Sequence, residues 1–433
     1  MIDRAIVKIW DTIAGAVLWN EATQTASFEY DADFVRKGHD LAPLKMPLIE
    51  NAIYSFPELR DRTTQAENTF SGLPGLLADT LPDRYGNRLI NSWLAQQGRP
   101  ENSMNPIEKL CFIGTRGMGA LEFHPAEKIN TEIFDIEIES LVDVAARMLN
   151  DRQTFITNIK EDGLKAMQDI LTVGTSAGGA RAKAIIAYNE STGVVKSGQA
   201  NVPEDFKHHI IKLDGVDDAQ FGTTKGYGRV EMAYYLMALD CGIDMMPSHL
   251  LEENGRAHFL TQRFDREKSN IKHHVQTLCA MQHYDYNNVG AFSYEQLFQT
   301  MRLLGLPYPE AEQMFRRLVF NVIARNCDDH TKNFGFILKQ NSEWSITPAY
   351  DICHAYRPES FWVSKHALTI NGKRENIQME DLLVVAKSMN IKKPKDIVKQ
   401  INQNIQHFEN YASKTGVEKK LKQSIKSTLL NFA

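Results

Sequence analysis

The segment RNCDDHTKNFGFIL, residues 325–338, carries the densest set of chemically active side chains in the sequence. Asp328 and Asn333 stand five positions apart, in the order Asp-x-x-x-x-Asn found in catalytic loops that transfer phosphoryl groups. Such a reaction needs a carboxylate to orient a hydroxyl nucleophile and further oxygen ligands to hold Mg2+. Eighteen residues past Asn333, Asp351 in TPAYDICHAY follows the apolar run Trp344–Ile346. That places it at a strand end, where a second Mg2+-binding carboxylate belongs. Taken alone, the spacing also suits a polar surface loop.

Upstream features narrow the choice. Lys212 sits in the apolar run His209–Leu213, and Glu231 follows nineteen residues later at a helix start. A strand lysine and a helix glutamate in that order match the pair that anchors nucleotide phosphates in kinases. Gly174, Gly178 and Gly179 form a turn that also holds Thr175 and Ser176. The turn fits neither the P-loop nor the kinase glycine pattern. It reads either as a backbone N–H cradle for phosphate or as a loop needing positive φ.

These residues require elements to place them. Ile6–Trp10, Ala14–Leu18 and Ala26–Tyr30, separated by turn formers, predict an opening β-meander. A helix is expected from Asp83 to Gln97, after Pro82 and before Gly98. Another is expected over Glu139–Asn150, then strands at Ala184–Tyr188 and His209–Leu213 and a helix over Val230–Asp240. Ser248–Leu251 and His258–Gln262 read as strands, and beyond Arg266 the pattern is mostly helical. Pro309–Arg325 is the clearest helix, and Ile397, Ile401, Ile405 and Phe408 share one face of another. The expected fold class is α+β. A small N-terminal unit over 1–125 precedes a strand-rich lobe over 126–266 and a helical lobe over 267–433.

The 433 residues exceed what one hydrophobic core usually serves. With 43% hydrophobic and 24% charged residues, disorder, collagen and a disulfide scaffold are excluded. A net charge of −5 provides no field for gripping nucleic acid. Tyr234, Tyr235, Tyr284 and Tyr286 lack interleaved basic residues for base stacking. No leader segment and no 18-residue apolar run occurs, so a cytoplasmic chain without membrane contact is expected. Five scattered cysteines suit reduced thiols. A zinc site from Cys327, His330, Cys353 and His354 fits no established spacing.

Taken together, SAGGARAK (176–183), HIIKL (209–213), EMAYYLMALDCGI (231–243), QRFDR (262–266), DDHTKNF (328–334) and TPAYDI (347–352) resemble the HipA family of toxin–antitoxin serine/threonine kinases. LADTLPDRYGNRLI (77–90) resembles that family's front subdomain. The resemblance implies a bilobal, protein-kinase-like fold with nucleotide between the lobes. It implies ATP and Mg2+ as cofactors, Asp328 as catalytic residue, and Asn333 and Asp351 as metal ligands. Lys212, His330, Lys332 and Tyr350 would line the nucleotide site, with Gln262, Arg263 and Phe264 at the adenine hinge. Gly178, Gly179, Ala180, Arg181, Ala182 and Lys183 would form the phosphate loop, Glu231 the partner of Lys212, and Ser176 the autophosphorylation site. Asp329 departs from the Gly of the best-known relative, which leaves open a share in the metal shell or an exchange of roles with Asp328. A HipB-type helix-turn-helix antitoxin is the implied partner and provides the only route to DNA. The implied substrate is a translation-related protein such as an aminoacyl-tRNA synthetase. A small-molecule or lipid kinase and a nucleotide-binding co-repressor are the alternatives.

Overall fold

A computed structural model describes residues 2–60, 68–126, 134–150, 171, 173, 174, 181–198, 201–216, 225–340 and 342–432. Its contacts divide the chain into two compact units. The first holds residues 1–228, 249–275 and 339–341, and the second holds 229–248, 276–338 and 342–433.

In the first unit the expected meander forms β1 (Arg4–Ile9), β2 (Thr12–Asn20) and β3 (Thr25–Tyr30). With β4 (Ile53–Ser55) and β5 (Glu122–His124) they make a sheet in the order β4-β3-β2-β1-β5. Alternation sets its inner face: Ala5, Val7 and Ile9 of β1 are buried between exposed or half-buried neighbours. The edge strands β4 and β5 are three residues each, too short to stand out as period-two runs.

A second sheet has the order β7-β6-β8-β10-β9, from β6 (Lys183–Tyr188), β7 (Val195–Ser197), β8 (Lys207–Lys212), β9 (Ser248–Glu253) and β10 (Arg256–Gln262). Antiparallel pairing of β6 with β8 sets Lys183 opposite Lys212, and pairing with β10 sets Lys212 opposite Phe259. The Arg84–Gln96 helix starts at the Asp83 N-cap, whose carboxylate accepts from Gly86 N. Its Tyr85, Leu89, Ile90 and Leu94 share one core with Leu141 and Ala145 of the Ile138–Asn150 helix and with Ala184, Ile186, Ile211 and Leu260 of the sheet.

The second unit is mainly helical and contains most of the Tyr227–Asp240 helix. The Tyr308–Ile323 helix buries Met314, Phe315, Leu318, Val319, Val322 and Ile323, the face expected from their spacing. Each such side chain contributes about 1.5–3 kcal/mol, which holds the end of this helix firmly. Tyr234 reinforces that end, its hydroxyl donating to Ala324 O at 2.6 Å. Ile397, Ile401 and Ile405 are buried on the Pro394–Gln406 helix, and Phe408 opens the next. No helix among the described residues is long and apolar enough to cross a membrane.

Candidate active site

Beyond the Tyr308–Ile323 helix, the chain turns sharply at Arg325, whose φ is +57°. The Arg325 guanidinium stacks 3.6 Å from the centre of the Tyr356 ring, which helps hold this uncommon backbone. Asn326 forms a parallel bridge with Ala355, and Cys327 N donates to Ala355 O at 3.0 Å. Asp328 follows with its side chain half-exposed. A short 3-10 turn, Thr331–Asn333, closes the loop, with Asn333 N donating to His330 O at 2.9 Å.

The amide nitrogen of Asn333 donates to the Asp328 carbonyl at 2.6 Å. That bond ties the two ends of the Asp-x-x-x-x-Asn loop together and leaves the Asn333 amide oxygen as the group it can offer a ligand. The strand Gly335–Leu338 then pairs antiparallel with Trp344–Ile346, Phe336 opposite Ile346. This hairpin returns the chain, so Asn333, Tyr350 and Asp351 line one pocket although eighteen residues separate the first from the last. Asp351 has a φ of +52°, an uncommon backbone for aspartate. Gly335 permits the close approach: a Cβ there would lie 2.9 Å from Thr347 Cγ2 and 3.2 Å from the Tyr350 hydroxyl. One carboxylate and one amide oxygen form a hard-oxygen pair suited to Mg2+, which ordinarily takes one or two protein carboxylates and completes its shell with phosphate and water.

The other predicted residues of this loop cluster nearby. The Tyr350 hydroxyl donates to Lys332 O at 2.8 Å, and Lys332 Nζ lies 4.9 Å from the centre of the Tyr286 ring. His330 packs against the same ring at 5.3 Å, with its Nε2 3.8 Å from Asp328 Oδ1.

Asp329 is buried and lines the same pocket as Asn333 and Asp351, with its carboxylate engaged by protein donors. Its Oδ2 accepts from the Tyr294 hydroxyl and His366 Nδ1, both at 2.8 Å, and its Oδ1 accepts from Ala367 N at 2.7 Å. Asn321 donates to the Tyr294 hydroxyl at 3.1 Å and accepts from Asn326 at 3.0 Å. Burial alone would lower the pKa of His366, but the Asp329 carboxylate outweighs it and raises the value to about 10. His366 is therefore held as an imidazolium at neutral pH. Three protein donors thus engage the buried Asp329 carboxylate, whereas the Asp328 side chain is half-exposed. Tyr294, Asn321 and His366 carried no sequence signal, because they come from distant segments and meet only in the fold.

Two of the residues weighed for zinc contact other groups. Cys327 Sγ lies 4.0 Å from His366, while His354 Nε2 contacts Thr428 Oγ1 at 2.9 Å. Among the described residues, no group of three His, Cys, Asp or Glu side chains is placed to hold a metal.

In the first unit, Lys183 is buried with its Nζ 3.9 Å from Asp83 Oδ2, a contact to the N-terminal segment that sequence spacing did not suggest. Lys212 Nζ lies 5.8 Å from the centre of the Phe259 ring, and Arg181 lies 4.7 Å from that of Tyr227. Ala182 is buried, its carbonyl accepting from Leu213 N at 3.0 Å. Gln262 ends β10, and Phe264 is half-buried. Arg263 is buried and forks onto Asp265 at 2.9 and 2.7 Å, with Arg266 on the same carboxylate at 2.7 Å. Burial pushes the Asp265 carboxyl up, yet both guanidinia outweigh it and hold it well below the usual carboxylate range. The Arg263 side chain is thus committed to structure. In the second unit, Glu231 is buried near the start of its helix. Ser176, Gly178, Gly179 and Ala180 lie outside the described residues.

Comparison with known proteins agrees with the resemblance. Residues 5–124 match the HipA N-terminal domain, and residues 175–422 match the HipA-like C-terminal domain. A Haemophilus influenzae protein described as a proposed kinase is 31% identical over 126 residues, covering 27% of this chain and 37% of that protein. A Sinorhizobium fredii protein with a like description is 26% identical over 188 residues, covering 41% of each. The chain therefore matches less than half the length of these relatives. Among solved structures, HipA of Shewanella oneidensis, determined with HipB and operator DNA, superposes with a TM-score of 0.67 at 16% identity. That match covers 98% of this chain and 94% of the other, so the expected α+β architecture is shared with that structure. With the C-terminal domain match alone spanning more than half its residues, the chain belongs to the HipA family.

Proposed function

We propose that this protein is an ATP- and Mg2+-dependent serine/threonine kinase and the toxin of a toxin–antitoxin pair. One observation carries the reading: Asn333 and Asp351 converge on one pocket while Asn333 is bonded to the backbone of the half-exposed Asp328. In this reading Asp328 orients the acceptor hydroxyl and takes its proton. Asn333 Oδ1 and the Asp351 carboxylate would hold Mg2+. When bound, the ion neutralises charge on the transferring phosphoryl group. The Asp329–His366 pair anchors the residue that follows Asp328.

Lys212 and the Gly178–Lys183 segment are assigned to the nucleotide phosphates, with Glu231 as the partner of Lys212. His330, Lys332 and Tyr350 flank the nucleotide, and the backbone of Gln262–Phe264 is assigned to adenine. Ser176, within the phosphate-loop segment, is the proposed autophosphorylation site. A phosphate there would add about −1.5 to −2 charge where phosphates are to be received.

The proposed partner is a HipB-type antitoxin. Support comes from the Shewanella relative, solved with HipB and operator DNA, and from a chain charge of −5 that leaves DNA contact to another protein. The proposed substrate is a translation-related protein, with an aminoacyl-tRNA synthetase the first to test. Incubation with γ-labelled ATP and a cell lysate tests the class. One discrete labelled protein is expected, whereas label confined to small molecules would move the assignment to a small-molecule kinase.

A further inference from the structure

We infer that Phe361 and Trp362 form an apolar platform that selects the protein segment bearing the acceptor hydroxyl. The inference rests on the kinase reading and adds the class of residue that the substrate must present. Phe361 is 73% exposed and Trp362 38% exposed, their rings meeting edge to face at 5.2 Å. The other exposed large apolar side chains among the described residues are aliphatic. Scattered exposed aliphatics are ordinary surface, but a contiguous aromatic pair is the composition of binding hot spots.

The loop that carries the pair is anchored beside Asp328. It stands on the loop joining Ala355 to His366, and both ends of that loop are fastened to residues flanking Asp328. At the first end, Ala355 O accepts from Cys327 N at 3.0 Å and Ala355 N donates to Arg325 O at 3.1 Å. At the second, His366 Nδ1 and Ala367 N donate to Asp329 at 2.8 and 2.7 Å. The loop is closed on itself as well: Arg357 N donates to Val363 O at 3.2 Å, and Ser364 N to Ser360 O at 3.1 Å. Ser360 Oγ accepts from Trp362 N at 3.3 Å, which fixes the tip, and the Lys365–Glu375 ion pair at 2.6 Å holds its outgoing arm.

The aromatic pair is therefore carried by the segment that frames the proposed catalytic aspartate on both sides. Aromatic rings offer contact area at low entropic cost, since each has only two side-chain torsions to fix. A large aliphatic or aromatic side chain of the substrate, next to the acceptor serine, is the chemistry that this platform would bury. A polar flank would leave both rings in water.

A library of serine peptides with varied flanking residues, phosphorylated by the full-length wild-type chain and by Phe361→Ala/Trp362→Ala, tests the inference. The wild type is expected to prefer a large apolar residue beside the serine. The double variant is expected to lose that preference, with KM for the selected peptide rising about ten-fold and kcat changing less than about two-fold. Nucleotide binding should be unchanged, and Phe361→Leu should recover most of the affinity. An unaltered preference in the double variant, or a wild type indifferent to apolar flanks, overturns the platform while leaving the kinase reading intact. An unaltered preference combined with wild-type self-association lost in the variant would instead assign the pair to an interface between copies. Absence of phosphoryl transfer to any acceptor by the wild type overturns the kinase reading, and this inference with it.

Discussion

Replacing Asp329 tests the buried support of the active-site loop. The carboxylate accepts three hydrogen bonds of 2.7–2.8 Å from Tyr294, His366 and Ala367. In Asp329→Ala the imidazolium of His366, 1% exposed, would lose its counter-charge, and Tyr294 and Ala367 would lose their acceptor. Removing one partner of a buried ion pair costs about 3–5 kcal/mol, a large part of the roughly 5–15 kcal/mol that folded domains possess. Asp329→Asn keeps one acceptor oxygen and is expected to lose less, about 1–3 kcal/mol. Urea unfolding followed by tryptophan fluorescence, combined with His366→Gln in a double-mutant cycle, measures both loss and coupling.

The pH dependence has a defined sign. His366 is raised from the ordinary histidine value of 6.5 to about 10 by Asp329 acting against burial. Its contribution to stability is complete below about 6.5 and is lost as pH rises through about 10. The wild type should therefore lose more stability between pH 7 and 10 than His366→Gln. Additive effects of the two substitutions, or identical pH profiles, would refute the ion pair.

Three more outcomes follow from the same structure. Asp265→Asn removes the charge shared by Arg263 and Arg266, all three side chains being buried, and should cost about 3–5 kcal/mol; thermal denaturation measures it, and an unchanged midpoint contradicts that role. Gly335→Ala would drive a Cβ to 2.9 Å from Thr347; it should cost about 1–3 kcal/mol and weaken Mg2+-dependent nucleotide binding, measured calorimetrically, by displacing Tyr350 and Asp351. Phosphopeptide mapping after incubation with ATP should find Ser176 labelled, and label elsewhere with Ser176 unmodified removes the proposed self-modification.

Much of the architecture was legible because its signals are local. The period-two runs of β1–β3, the Asp83 start of the Arg84–Gln96 helix and the apolar face ending at Ile323 each depend on residues close in sequence. The Asp328–Asn333 spacing was legible for the same reason, since one short loop holds both. Asp351 was harder: only the pairing of Gly335–Leu338 with Trp344–Ile346 brings it to the pocket of Asn333.

The contacts of Asp329 were not legible. Side by side in sequence, Asp328 and Asp329 are chemically identical, and only the arrival of Tyr294 and His366 from distant segments turns one inward. Arg263 is similar. Its motif marked a hinge, but its guanidinium is held by Asp265, two residues away. The Lys183–Asp83 contact joins positions one hundred apart, beyond any periodic pattern.

Asp328 is proposed to carry phosphoryl transfer, with Asn333 and Asp351 proposed to hold the metal. Single-turnover transfer from γ-labelled ATP, measured beside calorimetric nucleotide binding for wild type and Asp328→Ala, tests it most directly. The expected result is transfer reduced by about two to four orders of magnitude, the range of a lost general base, with Mg2+-dependent nucleotide binding within about two-fold of wild type. Transfer by Asp328→Ala at the wild-type rate would contradict the claim.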